Sequence, residues 1–295
     1  MSIAVIINPV SGRARHEAVS ARARLAAATV ERLGEHAEVF ITERAGHARE
    51  LAASAAAGGA RLVIAWGGDG TINEVASALA FGEVPLGMIP AGSGNGLARE
   101  LGVDPNPERA LQHAINASPS AIDLGELGGR LFVNVAGIGI DAHIAATFNA
   151  AGNLRRGFAV YLLAGARALV SYVPAVYNIT AGDQRLTVRA VLVVVANSVQ
   201  YGNGARIAPG ARVDDGELDL VIVEERSRLA TLCRTPHLFR GTLAGATGCS
   251  IRRIRHATIE SAEPMIFHVD GEPGEESSTQ LTARVHPAAL RICVK

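Results

Sequence analysis

The stretch of sequence that decides the fold is residues 67–74, GGDGTINE, which follow the predicted strand Arg61–Trp66 with its apolar run LVIAW. A short apolar run bounded by glycines predicts a buried strand, and helical spacing then continues from about Thr71 to Ala80. Glycines allow close approach of the backbone to a phosphate, and a helix N-terminus favours negative charge. The pattern therefore predicts a strand–loop–helix unit that binds phosphate.

A carboxylate in the middle of this loop adds a second requirement. Asp69 would repel a bare phosphate unless a divalent cation lay between them. A nucleotide whose phosphate charge is offset by Mg²⁺ satisfies both groups. The loop therefore predicts a magnesium–nucleotide complex.

Two more glycine-rich loops follow predicted strands. Residues 8–12, NPVSG, come after the strand Ile3–Asn8, and residues 90–96, PAGSGNG, come after the strand Leu86–Pro90. Parallel sheets present their ligands at the carboxyl ends of their strands. We expect all three loops to meet at one edge of such a sheet, although the NPVSG loop alone is equally consistent with an ordinary turn.

The order of the predicted elements divides the chain in two. Strands and helices alternate up to about residue 127, whereas strands dominate afterwards, with helical stretches near residues 142–170 and 229–242. We predict an α/β protein: a Rossmann-like parallel-sheet nucleotide domain at 1–127, then an antiparallel β-sandwich domain at 128–295 that binds the lipid or other substrate. We expect the active site in a cleft between the domains.

Composition narrows the class of protein. The 295 residues include 28 basic and 28 acidic side chains, whereas nucleic-acid-binding proteins usually show a basic excess. The only lysine is Lys295, but Walker-type phosphate loops and protein kinases both place a lysine on the phosphates. Arginine, backbone N–H groups and a metal are therefore expected to bind phosphate here, and no nucleic acid is expected as partner.

The spacing of the cysteines and the hydropathy of the chain indicate the cellular compartment of the protein. Cys233, Cys249 and Cys293 are dispersed, so the sequence predicts neither a disulfide framework nor a zinc site, as suits a reducing cytoplasm. The N-terminus does not resemble a signal peptide, and the longest apolar stretch, Gly157–Val170, is too short to span a bilayer. We predict a cytoplasmic protein.

Two arginine-bearing helical stretches suggest a peripheral position on the inner membrane face. Leu154–Val173 combines arginines with an apolar stripe, and a second stretch carries four more. Basic amphipathic helices can lie on anionic bilayers, although core-packed helices with solvated arginines are more common and slightly favoured here. A homodimer is also left open. The arginines of the second stretch are Arg226, Arg228, Arg234 and Arg240.

At these loops the sequence resembles the diacylglycerol kinase catalytic-domain family, which includes bacterial lipid kinases and sphingosine-kinase relatives. The resemblance continues through residues 137–141 (GIGID), 214–219 (DDGELD) and 270–272 (DGE) and covers almost the whole chain in order. The third loop reads Ser-Gly-Asn-Gly, with Gly96 where many diacylglycerol kinases place aspartate, and in this it looks more like sphingosine kinases.

The resemblance implies ATP and Mg²⁺ as cofactors and a lipid at a membrane surface as substrate. A structural magnesium site is implied at the Asp215 carboxylate and the backbone oxygens of Arg212 and Glu217, with a plain β-turn as the alternative. The ATP contacts that it implies are Asn8, Pro9, Val10, Ser11, Gly12, Thr42, Gly67, Gly68, Asp69, Gly70, Thr71, Ile72, Asn73 and Ser93.

Three carboxylates are candidates for catalysis in the transfer of the ATP γ-phosphoryl group to a lipid hydroxyl. The resemblance implies that the general base lies in the Asp270–Glu272 segment, with Glu272 as first choice and a hairpin turn as the alternative. Asp69 would orient magnesium or deprotonate the hydroxyl itself. Two other functions stay open: an NAD-kinase-like transfer to a soluble acceptor, and a non-catalytic nucleotide sensor.

Overall fold

The computed structural model describes residues 2–12, 16–150, 172–202, 204–227, 236–274 and 277–294. The predicted amphipathic stretch up to residue 171, Arg228 and Arg234 lie outside these ranges. The chain forms two compact units, one of Met1–Ile122 with Ala288–Lys295 and the other of Asp123–Pro287. The prediction set the boundary at residue 127 and did not anticipate that the C-terminal segment belongs to the first unit.

The first unit is built on a parallel sheet with the strand order β2-β1-β3-β4. Ile7 at the end of β1 pairs with both Ile41 and Trp66, so these strands end at one level. Ile292, near the C-terminus, pairs with Leu86 of β4. The strands are β1 (Ser2–Ile7), β2 (His36–Ile41), β3 (Leu62–Gly67) and β4 (Leu86–Pro90).

Helices cover both faces of this sheet. The first and fifth pack against each other over the side chains of Ile3, Val5 and Ile64, whereas the second and third pack against each other and contact β1, β3 and β4. Burial on both faces explains why β3 is apolar at every position. The helices are α1 (His16–Arg32), α2 (His47–Ala57), α3 (Asp69–Leu79), α4 (Gly96–Glu100) and α5 (Pro107–Asn116).

The second unit is mainly antiparallel. Its main sheet has the order β16-β15-β7-β9-β8-β14-β17, and β12 pairs with β9 and β13. Its core is formed by alternating strand residues such as Tyr177, Ile179, Val193 and Val195. The elements are β5 (Ser120–Leu127), β6 (Arg130–Phe132), β7 (Val135–Gly139), α6 (Ile140–Ala150), β8 (Ala175–Ala181), β9 (Gln184–Ala196), β10 (Gln200–Gly202), β11 (Ala205–Arg206), β12 (Leu218–Glu224), β13 (Cys249–Ile254), β14 (His256–Met265), β15 (Phe267–Val269), β16 (Glu272–Pro273) and β17 (Ser278–Ile292).

The predicted fold class is confirmed: parallel strands with helices in the N-terminal part and antiparallel strands in the C-terminal part. Among the described residues, no helix has the length and apolar character needed to cross a membrane.

Candidate active site

The first glycine-rich loop, residues 8–12, is tied to the second, residues 67–74. The Asn8 side chain donates from Nδ2 to the Thr71 hydroxyl at 2.8 Å, and its Oδ1 accepts the Val10 N–H at 3.0 Å. The Ser11 hydroxyl donates to the Asn8 carbonyl at 2.8 Å. One asparagine therefore shapes its own loop and joins it to the next.

The third loop, residues 90–96, is closed by a second asparagine. Asn95 accepts the Gly92 N–H on Oδ1 at 2.8 Å and donates from Nδ2 to the Gly92 carbonyl at 2.9 Å. Its backbone is left-handed, with a φ of 52°, which asparagine tolerates better than most residues. The two-point contact fixes the turn from which α4 begins.

Asp69 connects the second and third loops. Its Oδ2 accepts the Asn95 N–H at 2.8 Å, and its Oδ1 accepts the Gly96 N–H at 2.6 Å. Burial raises the pKa of Asp69, while these backbone donors oppose the rise. Each carboxylate oxygen has a second lone pair, so the carboxylate could bind a cation while it holds the third loop. Its predicted catalytic role stays a prediction.

Glycines allow the loops to approach this closely. A Cβ on Gly92 would lie 2.7 Å from the Gly68 Cα, and one on Gly94 would lie 2.6 Å from Asp69 Oδ2. Gly12 has a φ of +75°, and a Cβ there would lie 2.8 Å from the Ala91 carbonyl oxygen. A side chain at any of these positions would force the loops apart.

Arg22 is a cation beside the loops that was not among the predicted site residues. It donates to the carbonyls of Asn8 at 3.4 Å and Ser11 at 3.1 Å, and its guanidinium carbon lies 5.9 Å from the centre of the Trp66 ring. Burial lowers the pKa of Arg22, but a guanidinium remains charged in proteins. In the sequence, Arg22 is one of many arginines on a helix, so no signal distinguished it.

A cavity of about 480 Å³ opens next to Arg22, a volume within the range of small-molecule sites. Its walls are mainly apolar. They are formed by Gly12, Ala21, Arg22, Leu25, Trp66, Pro90, Ala91 and Pro107.

The other residues predicted to contact ATP differ in how far their side chains are exposed to solvent. Thr42 follows β2 at the carboxyl edge and is bonded through its N–H to the Ile7 carbonyl at 2.9 Å. Ser93 is exposed in the third loop, and Val10 is 61% exposed. Ile72 is fully buried, so only its backbone could reach a nucleotide. The remaining residues of the prediction, in or beside the first and second loops, are Pro9, Gly67, Gly70 and Asn73.

Asp270 and Gly271 form a hairpin turn in the second unit. Their φ values of 47° and 86° are both left-handed, and Val269 pairs with Glu272 on either side, as in a type I′ hairpin, where the Asp-Gly sequence is favoured. Glu272 is exposed at the start of β16. The hairpin that the sequence offered as the alternative is thus present, and it does not conflict with a catalytic Glu272.

The Asp270 carboxylate is an anchor for a neighbouring segment. Its Oδ2 accepts the Val133 N–H at 2.8 Å, and its Oδ1 accepts the N–H groups of Asn134 at 2.9 Å and Val135 at 3.1 Å. Three backbone donors occupy three of the roughly four lone pairs of this carboxylate, so its main role in the structure is to anchor residues 133–135. This geometry favours Glu272 over Asp270 as the base.

The predicted metal-binding segment, residues 212–217, is compact, and the positively charged side chain of Arg253 lies beside its carboxylates. Asp215 Oδ1 accepts the Glu217 N–H at 3.2 Å, and Arg253 lies 3.5 Å from Asp215 Oδ2 and 3.4 Å from the Glu217 carboxylate. Asp123 accepts the Gly216 N–H at 2.6 Å. Oxygen donors suit Mg²⁺, so the donor chemistry fits an ion that would share the Asp215 carboxylate with Arg253. Within the described ranges, no group of three or more His, Cys, Asp or Glu side chains is arranged to hold a metal.

Comparison with known families and proteins accounts for both parts of the chain. Residues 2–127 match the model of the diacylglycerol kinase catalytic domain, and residues 134–294 match that of the YegS C-terminal NAD kinase beta sandwich-like domain. The chain therefore belongs to the YegS-like lipid kinase family, and the predicted resemblance is confirmed.

Named relatives agree with this assignment. A Pseudomonas savastanoi pv. phaseolicola protein named "Probable lipid kinase YegS-like" is 33% identical over 281 residues, which are 94% of this chain and 90% of the relative. A Pseudomonas aeruginosa protein of the same name is 34% identical and covers 91% of this chain and 88% of its own length. The fold is shared with a crystal structure of a diacylglycerol kinase from Bacillus anthracis, with a TM-score of 0.74 and 21% identity, covering 100% of this chain and 97% of the other.

Proposed function

We propose that this protein is an ATP- and Mg²⁺-dependent lipid kinase that transfers the γ-phosphoryl group to a lipid hydroxyl. The observation that carries the proposal is the joining of three glycine-rich loops by Asn8, Asp69 and Asn95 at the carboxyl edge of a parallel sheet. Phosphoryl transfer depends on positioning and charge stabilisation more than on covalent chemistry. Backbone N–H groups of loops that are held together by these hydrogen bonds would provide the positioning.

Within the first unit, we assign phosphate binding to the loops and to the N-terminus of α3. The 11-residue helix begins at Asp69, so its first N–H groups and its dipole favour the phosphates. With the only lysine at position 295, Arg22 is the charged side chain that we place near them. Bound magnesium would neutralise phosphate charge, and the Asp69 carboxylate of the second loop is the residue that would hold it.

Within the second unit, we assign the general base to Glu272. It is exposed, whereas Asp270 is engaged by three N–H groups. A positioned base accepts the proton of the attacking hydroxyl, a step typically worth about 10²–10⁴-fold in rate. Asp215, with the backbone oxygens of Arg212 and Glu217, is proposed as a separate structural magnesium site.

The proposed acceptor is a lipid at a membrane surface. Support comes from the relatives named as lipid kinases and from the domain match, while the particular lipid is left to experiment. Peripheral association with the inner membrane face and a homodimer are proposals of the same kind.

The test is a kinase assay with labelled γ-phosphate on the purified full-length chain. Mixed micelles would present diacylglycerol, phosphatidylglycerol, a sphingoid base or ceramide, and a further reaction would contain NAD. We expect Mg²⁺-dependent labelling of at least one lipid, and a loss of about 10²–10⁴-fold in kcat for Glu272→Gln. The exposed Asp183→Asn variant is the control and should retain full turnover.

Three results would contradict the proposal. Labelling of NAD alone would support the soluble-acceptor function. Binding of ATP with no turnover on any lipid would support a nucleotide sensor. Unchanged turnover in the Glu272→Gln variant would remove the base assignment.

A further inference from the structure

A buried pair of a carboxylate and an imidazole lies in the second unit. Neither residue is among the predicted site residues. His268 of β15 is 4% exposed, Asp141 in the first turn of α6 is 3% exposed, and His268 Nε2 lies 2.8 Å from Asp141 Oδ2. Buried polar groups cost free energy unless their hydrogen bonds are made. The partners of this pair therefore indicate what it holds in place.

Both oxygens of the Asp141 carboxylate accept hydrogen bonds. The Tyr201 hydroxyl donates to Oδ2 at 2.7 Å, and the Ala142 N–H donates to Oδ1 at 2.8 Å. Gly137 pairs with His268 in the sheet, and a Cβ at Gly137 would overlap both the Asp141 carboxylate and the imidazole. The sequence thus leaves room on β7 for this contact.

The second nitrogen of His268 contacts the turn that carries Glu272. The Gly271 N–H donates to His268 Nδ1 at 3.2 Å. A backbone amide can only donate, so Nδ1 is the unprotonated nitrogen and Nε2 carries the proton that is donated to Asp141. By accepting from Nε2, Asp141 fixes the tautomer that His268 needs to accept from Gly271.

The turn is therefore held from two sides. Asp270 binds the backbone of residues 133–135, and His268 binds Gly271, the residue between Asp270 and Glu272. Both residues of the turn have left-handed backbones, a conformation that costs free energy for aspartate and needs support.

We propose that His268 and Asp141 are positioning residues that fix the 270–272 turn and, through it, the direction of Glu272. This inference rests on the proposed function, because it concerns the base of that reaction. Neither residue needs to touch the substrate. A displacement of 1 Å at a reacting group can cost about 10²-fold in rate, so a loosened turn should lower kcat.

Two substitutions of one residue separate the two contacts. His268→Asn keeps an acceptor near the position of Nδ1, and His268→Gln keeps a donor near that of Nε2. We expect kcat with dioleoylglycerol in mixed micelles to stay close to wild type for His268→Asn. For His268→Gln we expect kcat to fall by up to about 10²-fold, while KM for ATP stays unchanged. His286→Gln is the matched control, since His286 also lies 2.8 Å from a carboxylate, that of Glu126.

Hydrogen exchange measures the turn without any acceptor lipid. Peptides that cover residues 267–274 should exchange faster in His268→Gln than in wild type or His268→Asn, because local opening exposes the Gly271 amide. Equal exchange in wild type and His268→Gln would overturn the proposal. Asp141→Asn provides the same reading if His268→Gln does not fold.

Comparison of kcat in the Glu272→Gln and His268→Gln variants distinguishes a failure of this inference from a failure of the proposed function. If Glu272→Gln lowers kcat and His268→Gln does not, positioning is wrong while the base assignment stands. If Glu272→Gln changes nothing, the base assignment itself is wrong. When both are right, the double variant His268→Gln/Glu272→Gln should be no slower than Glu272→Gln alone, because residues that act through one group are not additive.

Discussion

Asp69 links the second and third loops through one hydrogen bond to each carboxylate oxygen. A role in catalysis was predicted from the sequence because the carboxylate stands among glycines. The structure adds that the same carboxylate holds the backbone of Asn95 and Gly96. Any substitution at this residue therefore tests both loop geometry and chemistry.

The substitution Asp69→Asn should weaken both the contact between the two loops and the chemistry of the carboxylate. An amide presents only one oxygen, so one of the two N–H groups would face the NH₂ group instead. We expect the free energy of unfolding to fall by about 1–3 kcal/mol, the cost of one buried donor left unsatisfied, and phosphotransfer to fall as well. Thermal unfolding and the lipid kinase assay measure the two effects.

The exposed Asp183→Asn variant is the control for the removal of one negative charge. A wild-type rate of phosphotransfer in Asp69→Asn, with its fold intact by circular dichroism, would contradict the role that we assign to this carboxylate.

Among the secondary-structure elements, the strand–loop–helix units of the first unit were predicted best. The sequence predicts a helix at His47–Ala57 and a strand at Leu86–Pro90, and the structure has both with these bounds, because glycine, proline and a buried apolar run mark their ends. Helix α5 was not predicted, although Asn106 accepts the N–H groups of Glu108 and Arg109 as its N-cap. The signal is nevertheless present in the sequence, since Pro107 follows the capping Asn106, and Ala110, Leu111, Ala114 and Ile115 recur at helical spacing on the buried face.

The contacts between loops were not predictable from their separate patterns. The sequence shows that glycines are present, but only the fold places Gly68 against Gly92 and Gly94 against Asp69. Strands in the second unit were harder to predict for a similar reason. The mainly apolar run Leu131–Ala136 predicts a single strand. The structure instead has two strands, β6 and β7, and Asp270 binds the backbone of residues 133–135 where they separate.

Gly92→Ala tests the close approach of the second and third loops. The added Cβ would lie 2.7 Å from the Gly68 Cα and 3.0 Å from Asn95 Oδ1, so the loops must separate. We expect at least a tenfold loss of ATP affinity, measured by calorimetry, which corresponds to about 1.4 kcal/mol.

Gly210→Ala is the matched control for this change. A Cβ at Gly210 meets no atom within 4 Å, so ATP affinity should be unchanged. Equal ATP affinity in Gly92→Ala and wild type would show that contact between these loops is not needed for binding.

At the scale of the whole chain, family membership follows from motifs in a fixed order rather than from any one of them. The GGDGT loop alone leaves the class of kinase open, whereas the motifs from residue 8 to residue 272 lie within two matched domains, at residues 2–127 and 134–294. The sequence left Asp69, Asp270 and Glu272 as candidates for the base, with Glu272 as the first choice. Our proposal of Glu272 draws on the folded chain, in which three backbone N–H groups engage the Asp270 carboxylate.

The most direct test of the central claim is a crystal structure of the full chain with a non-hydrolysable ATP analogue and magnesium. We predict that the polyphosphate lies within hydrogen-bonding distance of the N–H groups of residues 67–71, with magnesium between it and the Asp69 carboxylate. A polyphosphate bound elsewhere on the chain, with those N–H groups uncontacted, would contradict the account.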